Sequence, residues 1–415
     1  MESGELIPHL FRNEYRKIVS VLCKHFGFDQ IAIAEDIASD TFLAAAETWG
    51  LNNIPPNPTA WLYNVAKNKA KNYLQREGLF ENKISKELTG SAKITEYEID
   101  LSPQNINDSQ LQMMFAICHP AISSEAQIGL SLRILCGFGI NEIADAFLTN
   151  KETINKRLFR AKEKLREEKI KIEIPGEKEI NDRLETVLTT IYLLFNEGYY
   201  SESQNTIIRK ELCIEAIRLC YMLVENSSTN KSAVNALLSL MCFHSSRLDA
   251  RINEKGEPIL YEDQDTTLWD TDLIRKGEYF LHCAATGNSL SKYHLEAAIA
   301  YWHTHKADTK EKWENILQLY NQLLQIEYSP IAALNRTYAL SKANGREEAI
   351  TEAEKLQITN NHYYYVLLAE LYRGSDNSKA KQNLQKALLL ARTDTDKKQL
   401  EKKLALLNND SIKAG

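Results

Sequence analysis

Between Lys151 and Lys171 the chain carries nine Lys and Arg against four Glu. Cations at that density suit contact with a phosphate backbone. Within the same stretch Ile154, Leu158, Ala161 and Leu165 recur at helical spacing, which predicts one buried face. Lys151, Thr153, Asn155, Lys156, Arg157, Arg160 and Lys162 are left for the remaining surface. A second set lies at Asn64, Asn68 and Asn72, spaced by four so that three amides share one helical face. An amide both donates and accepts, so this face can address base edges, and Lys67, Lys71 and Arg76 beside it supply charge for a displaced strand. The third set is acidic. Glu35, Asp36 and Asp40, with Thr41 and Phe42, make a polar docking face with one apolar anchor.

The elements that must position these residues follow from local pattern. Ile140 to Phe147 reads as a short helix with Ile140, Ile143, Ala144 and Phe147 on one side, Leu148-Thr149-Asn150 turns the chain, and a basic helix starts near Lys151. That order is the sequence form of a helix-turn-helix, whose second helix suits a major groove. A solvated face with i,i+4 partners in Glu163, Glu167 and Glu168 accounts for the charge but not for the order of the parts. Pro55, Pro56 and Pro58 forbid a helix between two helical stretches, and the rigid loop Leu51 to Asn57 carries Asn52 and Asn53.

Alternation of β-branched residues never persists, whereas apolar spacing of three and four recurs from Leu10 to Leu407, so the expected fold is all-α. Residues 1–77 form a first block, the polar stretch 78–109 a linker, and 110–169 a second block containing the helix-turn-helix. Ile174-Pro175-Gly176 breaks the chain before a C-terminal helical domain over 177–415. Within about 295–407, a shift of 34 residues superposes Leu334 on Leu368, Tyr338 on Tyr372, Ile350 on Leu384, Ala353 on Ala387 and Leu356 on Leu390. This is the tetratricopeptide period, in which each helix pair buries its face against the next. Residues 177–290 show no period.

The 415 residues are 44% hydrophobic with a net charge of −6, which disfavours indiscriminate nucleic-acid binding and makes the local clusters decisive. Seven cysteines without a C-x-x-C pair point to a reducing compartment. The absence of a charged start followed by an apolar core, and of any 18-residue apolar run, predicts a cytoplasmic protein without a membrane span. No catalytic constellation, phosphate-cradling loop or cofactor motif is found, so no enzyme is expected. His303 and His305 lack neighbours at metal-ligand spacing. Asp263, Asp265, Asp270 and Asp272 around Trp269 lack calcium-loop spacing and read as helix caps.

Several segments carry a family resemblance. Ala34-Glu35-Asp36-Ile37-Ala38-Ser39-Asp40-Thr41-Phe42-Leu43, then Pro58-Thr59-Ala60-Trp61-Leu62-Tyr63-Asn64-Val65-Ala66-Lys67 and its continuation to Arg76, resemble the first conserved domain of σ factors of the extracytoplasmic-function type. Leu132-Arg133, Gly137-Phe138, Glu142-Ile143-Ala144 and Arg157 to Lys162 resemble their second domain. Asn72 stands where most relatives carry Asp and Gln75 where a basic residue is common, departures that bear on the promoter sequence. Gln110 to Pro120, Phe195-Asn196-Glu197-Gly198-Tyr199, Tyr261-Glu262-Asp263-Gln264-Asp265 and Ser329 to Arg336 resemble the subgroup with a C-terminal tetratricopeptide domain.

The resemblance implies a non-enzymatic partner of core RNA polymerase. Glu35, Asp36, Asp40, Thr41 and Phe42 would dock on the β′ clamp helices, with a further contact to the β flap. Promoter DNA would be read at a −10 element by Asn52, Asn53, Asn64, Lys67, Asn68, Lys71, Asn72 and Arg76, with the 51–57 loop taking a flipped base. The −35 element would fall to Lys151, Thr153, Asn155, Lys156, Arg157, Arg160 and Lys162. The repeats would offer a protein or peptide ligand a concave surface and govern σ activity. Two alternatives remain: a helix-turn-helix operator binder with a repeat sensor, and a repeat scaffold whose N-terminal helices only pack.

Overall fold

A computed structural model describes residues 3–52, 54–88, 99–199, 206–251, 253, 259, 261–287, 289–391 and 394–413. The protein is all-α as expected, and no strand occurs among the described residues. The chain divides into two compact units, Met1–Asn230 and Lys231–Gly415.

The first unit begins with α1 (Ser3–Phe26), α2 (Ile31–Asn52) and α3 (Pro58–Leu88). On α2 the stripe Ala34, Ala38, Thr41 and Ala45 is buried, and Trp49 at its end meets Trp61 of α3 edge to face, ring centroids 5.3 Å apart. Two boundaries among these three helices differ from the sequence reading. Helix α2 runs on through Leu51 and Asn52, so the proline break is shorter than Leu51–Asn57. Helix α3 continues past residue 77 to Leu88, into the segment read as linker, because Pro58 sits at its first turn and no later proline stops it.

Next come α4 (Pro103–Ile117), α5 (Ser124–Leu130), a π-helical turn (Ser131–Leu135), α6 (Ile140–Ala146) and α7 (Lys151–Glu167). Helix α4 starts before residue 110, its N-cap Ser102 accepting from the Asn105 amide. It packs along α1. The unit closes with α8 (Ile180–Tyr199) and α9 (Thr206–Glu225), which pair with each other and lie on α4, α5 and α6. By packing, residues 177–230 fall with the first unit, and the Pro175-Gly176 break is a loop inside it. A broken helix signal marks an end of an element but does not say against what the next one packs.

The second unit holds α10 (Ser232–Ser245), α11 (Thr271–Ala284), α12 (Lys292–Trp302), α13 (Lys310–Ile326), α14 (Pro330–Ala343), α15 (Arg346–Leu356), α16 (His362–Tyr372), α17 (Asn377–Leu390) and α18 (Asp394–Lys413). Helices α10 and α11 approach so closely that a Cβ on Gly277 would lie 2.6 Å from the Phe243 ring. Ser239 closes the contact by donating to the Gly277 carbonyl at 2.7 Å. From α13 onward one apolar core runs through Trp313, Ile316, Leu334, Ala353, Leu368, Leu384 and Ala387. The 34-residue register is visible in it: Leu334 and Leu368 are both buried, as are Ala353 and Ala387.

The Tyr261–Asp265 motif is pinned to α13 and the loop before it. The Lys312 ammonium donates to the Tyr261 hydroxyl at 3.1 Å and to the His305 carbonyl at 2.6 Å, while Lys306 donates to the Gln264 carbonyl at 2.7 Å. Asp265 accepts from the Thr267 amide and Asp270 caps α11 by accepting from Asp272 and Leu273.

Candidate nucleic-acid interface

On α3 the faces separate cleanly. Leu62, Ala66 and Ala70 are buried, Trp61 and Val65 half-buried, and Asn64, Asn68, Lys71, Asn72 and Arg76 exposed. Lys67 is half-buried. The three amides thus stand on the solvent side of one helix, where a strand could lie along them. Tyr63, on the other flank, donates its hydroxyl to Glu14 at 2.6 Å; burial and that carboxylate both push the phenol pKa up. Of the loop residues, Asn52 closes α2 with its side chain outside the described atoms, and Asn53 lies outside the described residues.

Helix α7 is built by its apolar stripe and its cap. Ile154, Leu158, Ala161 and Leu165 are buried, and Asn150 accepts from the Thr153 amide at 2.8 Å. The chain turns out of α6 through Leu148, whose φ of 48° places it in the left-handed region, with its side chain exposed. Lys151, Thr153, Asn155, Lys156 and Arg160 are exposed; Arg157 and Lys162 are half-buried. Thr153, Lys156, Arg157, Arg160 and Lys164 line an open cleft of about 480 Å³ with Ser123 from the start of α5. Arg157 lies with its guanidinium carbon 5.4 Å from the Phe147 ring centroid.

The acidic set divides. Asp36 and Asp40 are exposed, Asp40 within 3.7 Å of the Lys69 ammonium. Thr41 and Phe42, expected on the docking face, are instead core. The Thr41 hydroxyl donates to the Ile37 carbonyl at 2.7 Å, which satisfies it inside the helix and lets it sit in the alanine stripe. Phe42 packs edge to face on Phe11, 5.0 Å between centroids. Among the described side chains of α2, the large apolar one that is exposed is Leu43. Glu35 is turned inward and holds two cations from the second block, Arg133 at 3.5 Å and Lys162 of α7.

Sequence reasoning missed a group of charges around α1. Arg12 reaches Glu142 of α6 and, at 2.7 Å, Glu211 of α9; Arg16 meets Glu215 of α9 at 2.6 Å, and Arg218 joins Glu215 at 2.8 Å. Burial raises the Glu215 pKa, but Arg218 and Arg16 beside it outweigh that and hold the carboxyl below the usual carboxylate range. Arg133 donates to the Tyr15 hydroxyl and the Phe138 carbonyl, both at 3.2 Å, and Arg12 lies 4.4 Å from the Phe138 ring centroid. Partners 199 positions apart leave no local signal in a sequence. Gly137 did carry one. Its φ is +75°, and a Cβ there would lie 2.7 Å from the Arg12 carbonyl oxygen, so only glycine lets the backbone of α1 come this near.

Among the described residues no group of three or more His, Cys, Asp or Glu is placed to hold a metal ion, and no helix is long and apolar enough to cross a membrane.

Comparison with known proteins bears on these helices directly. Residues 10–79, from α1 through most of α3, match Sigma-70 region 2, and residues 183–285 match a family of unknown function, DUF6596. The Uncharacterized protein R00370 of Rhizobium meliloti (strain 1021) is 31% identical over 342 residues, covering 81% of this chain and 80% of its own length. No solved structure matches. The chain belongs to one family with the Rhizobium protein, and its match to Sigma-70 region 2 over residues 10–79 supports a σ-70 family factor.

Proposed function

We propose that the chain is an extracytoplasmic-function type σ factor that acts in the cytoplasm, binds core RNA polymerase and directs it to a particular class of promoters. One observation carries this reading most directly. The segment matching Sigma-70 region 2 exposes the Asn64, Asn68 and Asn72 ladder with Lys71 and Arg76, while Leu62, Ala66 and Ala70 keep the same helix anchored. In this reading α3 holds the melted −10 strand through amide and phosphate contacts. Helices α6 and α7 act as a helix-turn-helix, with Lys151, Thr153, Asn155, Lys156 and Arg160 addressing the −35 element.

The polymerase surface centres on Asp36, Asp40 and Leu43, with Glu35 joining them once released from Lys162. The helix pairs from α12 to α18 act as tetratricopeptide-like repeats that take a protein or peptide and tune promoter output. Core polymerase mixed with this protein alone on a linear template tests the reading. Transcripts from a defined start are expected. An operator binder could not initiate, and failure of core polymerase to retain the chain on gel filtration would rule the proposal out.

A further inference from the structure

Two surfaces that the proposed function needs free are occupied by each other. Glu35, on the polymerase side, holds Lys162 of the −35 helix, and Arg133 completes the cluster. The side-chain exposures of these three residues, 14%, 19% and 19%, make the contact a largely desolvated one. A second cluster lies on the neighbouring stretch of α1: Arg12 shared by Glu142 and Glu211, and Arg16 by Glu215.

Size makes this placement incompatible with promoter reading. Elements named −10 and −35 lie about two and a half helical turns apart, roughly 85 Å along B-form DNA. A compact body of 230 residues has a radius of gyration of about 17 Å, hence a diameter of about 45 Å. Helices α3 and α7 within one such unit do not span both elements together. They must part, and parting breaks the contacts of Glu35 and Arg12.

We propose that α9 is an intramolecular latch: Glu211 and Glu215 grip Arg12 and Arg16, holding α6 and α7 against α1 and α2 in a closed state that must open before a promoter is engaged. This rests on the σ-factor reading above. Ion pairs suit such a latch. Each grip is charge-assisted and local, and both sides offer their charges to other partners after parting: Lys162 to DNA phosphate, Glu35 to a basic surface on polymerase. Gly137 fits the same picture, because it lets the closed state bring the α1 backbone against the loop before α6 without a side chain between them.

The latch is tested in the full chain on a DNA fragment carrying a start site mapped by transcript 5′ ends after overproduction. In one arm, E211Q/E215Q is compared with wild type for binding to the fragment without polymerase. If the closed state dominates, removing it raises apparent affinity on the order of tenfold. Because Glu215→Gln leaves Arg16 poorly paired and could unfold α9, a second arm ties the closed state instead. Arg12→Cys/Glu142→Cys is joined by a reducible bis-maleimide and assayed with core polymerase before and after cleavage. Initiation is expected to fall at least on the order of tenfold in the tied form and to return on cleavage. Equal initiation by tied and cleaved protein overturns the latch and leaves the σ-factor reading standing. Absence of initiation by the wild-type chain overturns that reading and the latch with it.

Discussion

The α1–α6–α9 junction of the first unit, buried at Arg16 and Glu215 but only half-buried at Arg12 and Glu142, and the buried α13–α17 stack of the second are held by different chemistry. The junction is held by Arg12, Arg16, Glu142, Glu211 and Glu215 around a glycine contact; the stack is held by Leu334, Leu368, Ala353 and Ala387. Apolar contacts lose their whole value when water enters, so the stack has one good arrangement. Charged groups regain hydration on separation, so the junction gives up less when it opens. The comparison teaches that a permanent scaffold and a contact proposed to be exchanged can be told apart by what their side chains would do in water.

The largest expected effect probes the stack. Leu334→Ala or Leu368→Ala leaves a cavity between helix pairs and should cost about 2–5 kcal/mol, read as a lower denaturation midpoint for residues 231–415 by hydrogen exchange. At the junction, Arg16→Met leaves Glu215 with Arg218 alone and should cost about 2 kcal/mol, less than the full loss of a buried pair because one cation stays. If the junction change proved costlier than the stack change, the contrast would be wrong. On the DNA side, Arg160→Ala should weaken promoter-fragment binding by roughly 1–3 kcal/mol. Arg157→Ala should cost less in binding and more in stability, because its guanidinium already lies on Phe147; equal losses from both would place Arg157 on DNA instead.

Acid separates the two units. His303, packed edge to face on Tyr261 and Trp313, has its pKa lowered to about 3 by burial and by the nearby Arg247 and Lys312; His244 is lowered well below its ordinary value for the same first reason. A histidine with a depressed folded pKa contributes stability that is complete above its unfolded value near 6.5 and fades as pH falls toward 3. Glu215, also depressed, contributes above its ordinary carboxylate value and loses that contribution only as pH drops through its folded one. Between about pH 6 and 5 the helices around His244 and His303 should therefore loosen before the Glu215 pair does, which segment-resolved hydrogen exchange at the two pH values would check. The smallest effect is expected at Asp40→Asn, whose exposed pair with Lys69 should be worth less than about 1 kcal/mol in thermal unfolding.

What was legible in the sequence was local. The α6–turn–α7 order follows from Ile143, Ala144, Ile154 and Leu158 and from the Asn150 cap, and the 34-residue register survives in which alanines are buried. The amide ladder of α3 was legible for the same reason, since spacing by four fixes a face. Thr41 and Phe42 were misjudged because charge nearby suggested a surface, while the alanine stripe that claims Thr41 is weakly hydrophobic and easily overlooked. The packing of 177–230 on the first unit was not legible, because a break such as Pro175-Gly176 does not say against what the next helix lies. Nor could periodicity show Arg12 beside Glu211.

The glycine at 137 offers a genetic handle. Since even one methyl group there would strike the α1 main chain, the proposed latch predicts that Gly137 replacements which keep both helical blocks folded raise promoter output above the wild-type level. Such mutants, mapped without any purified component, would test the proposed closed state in living cells.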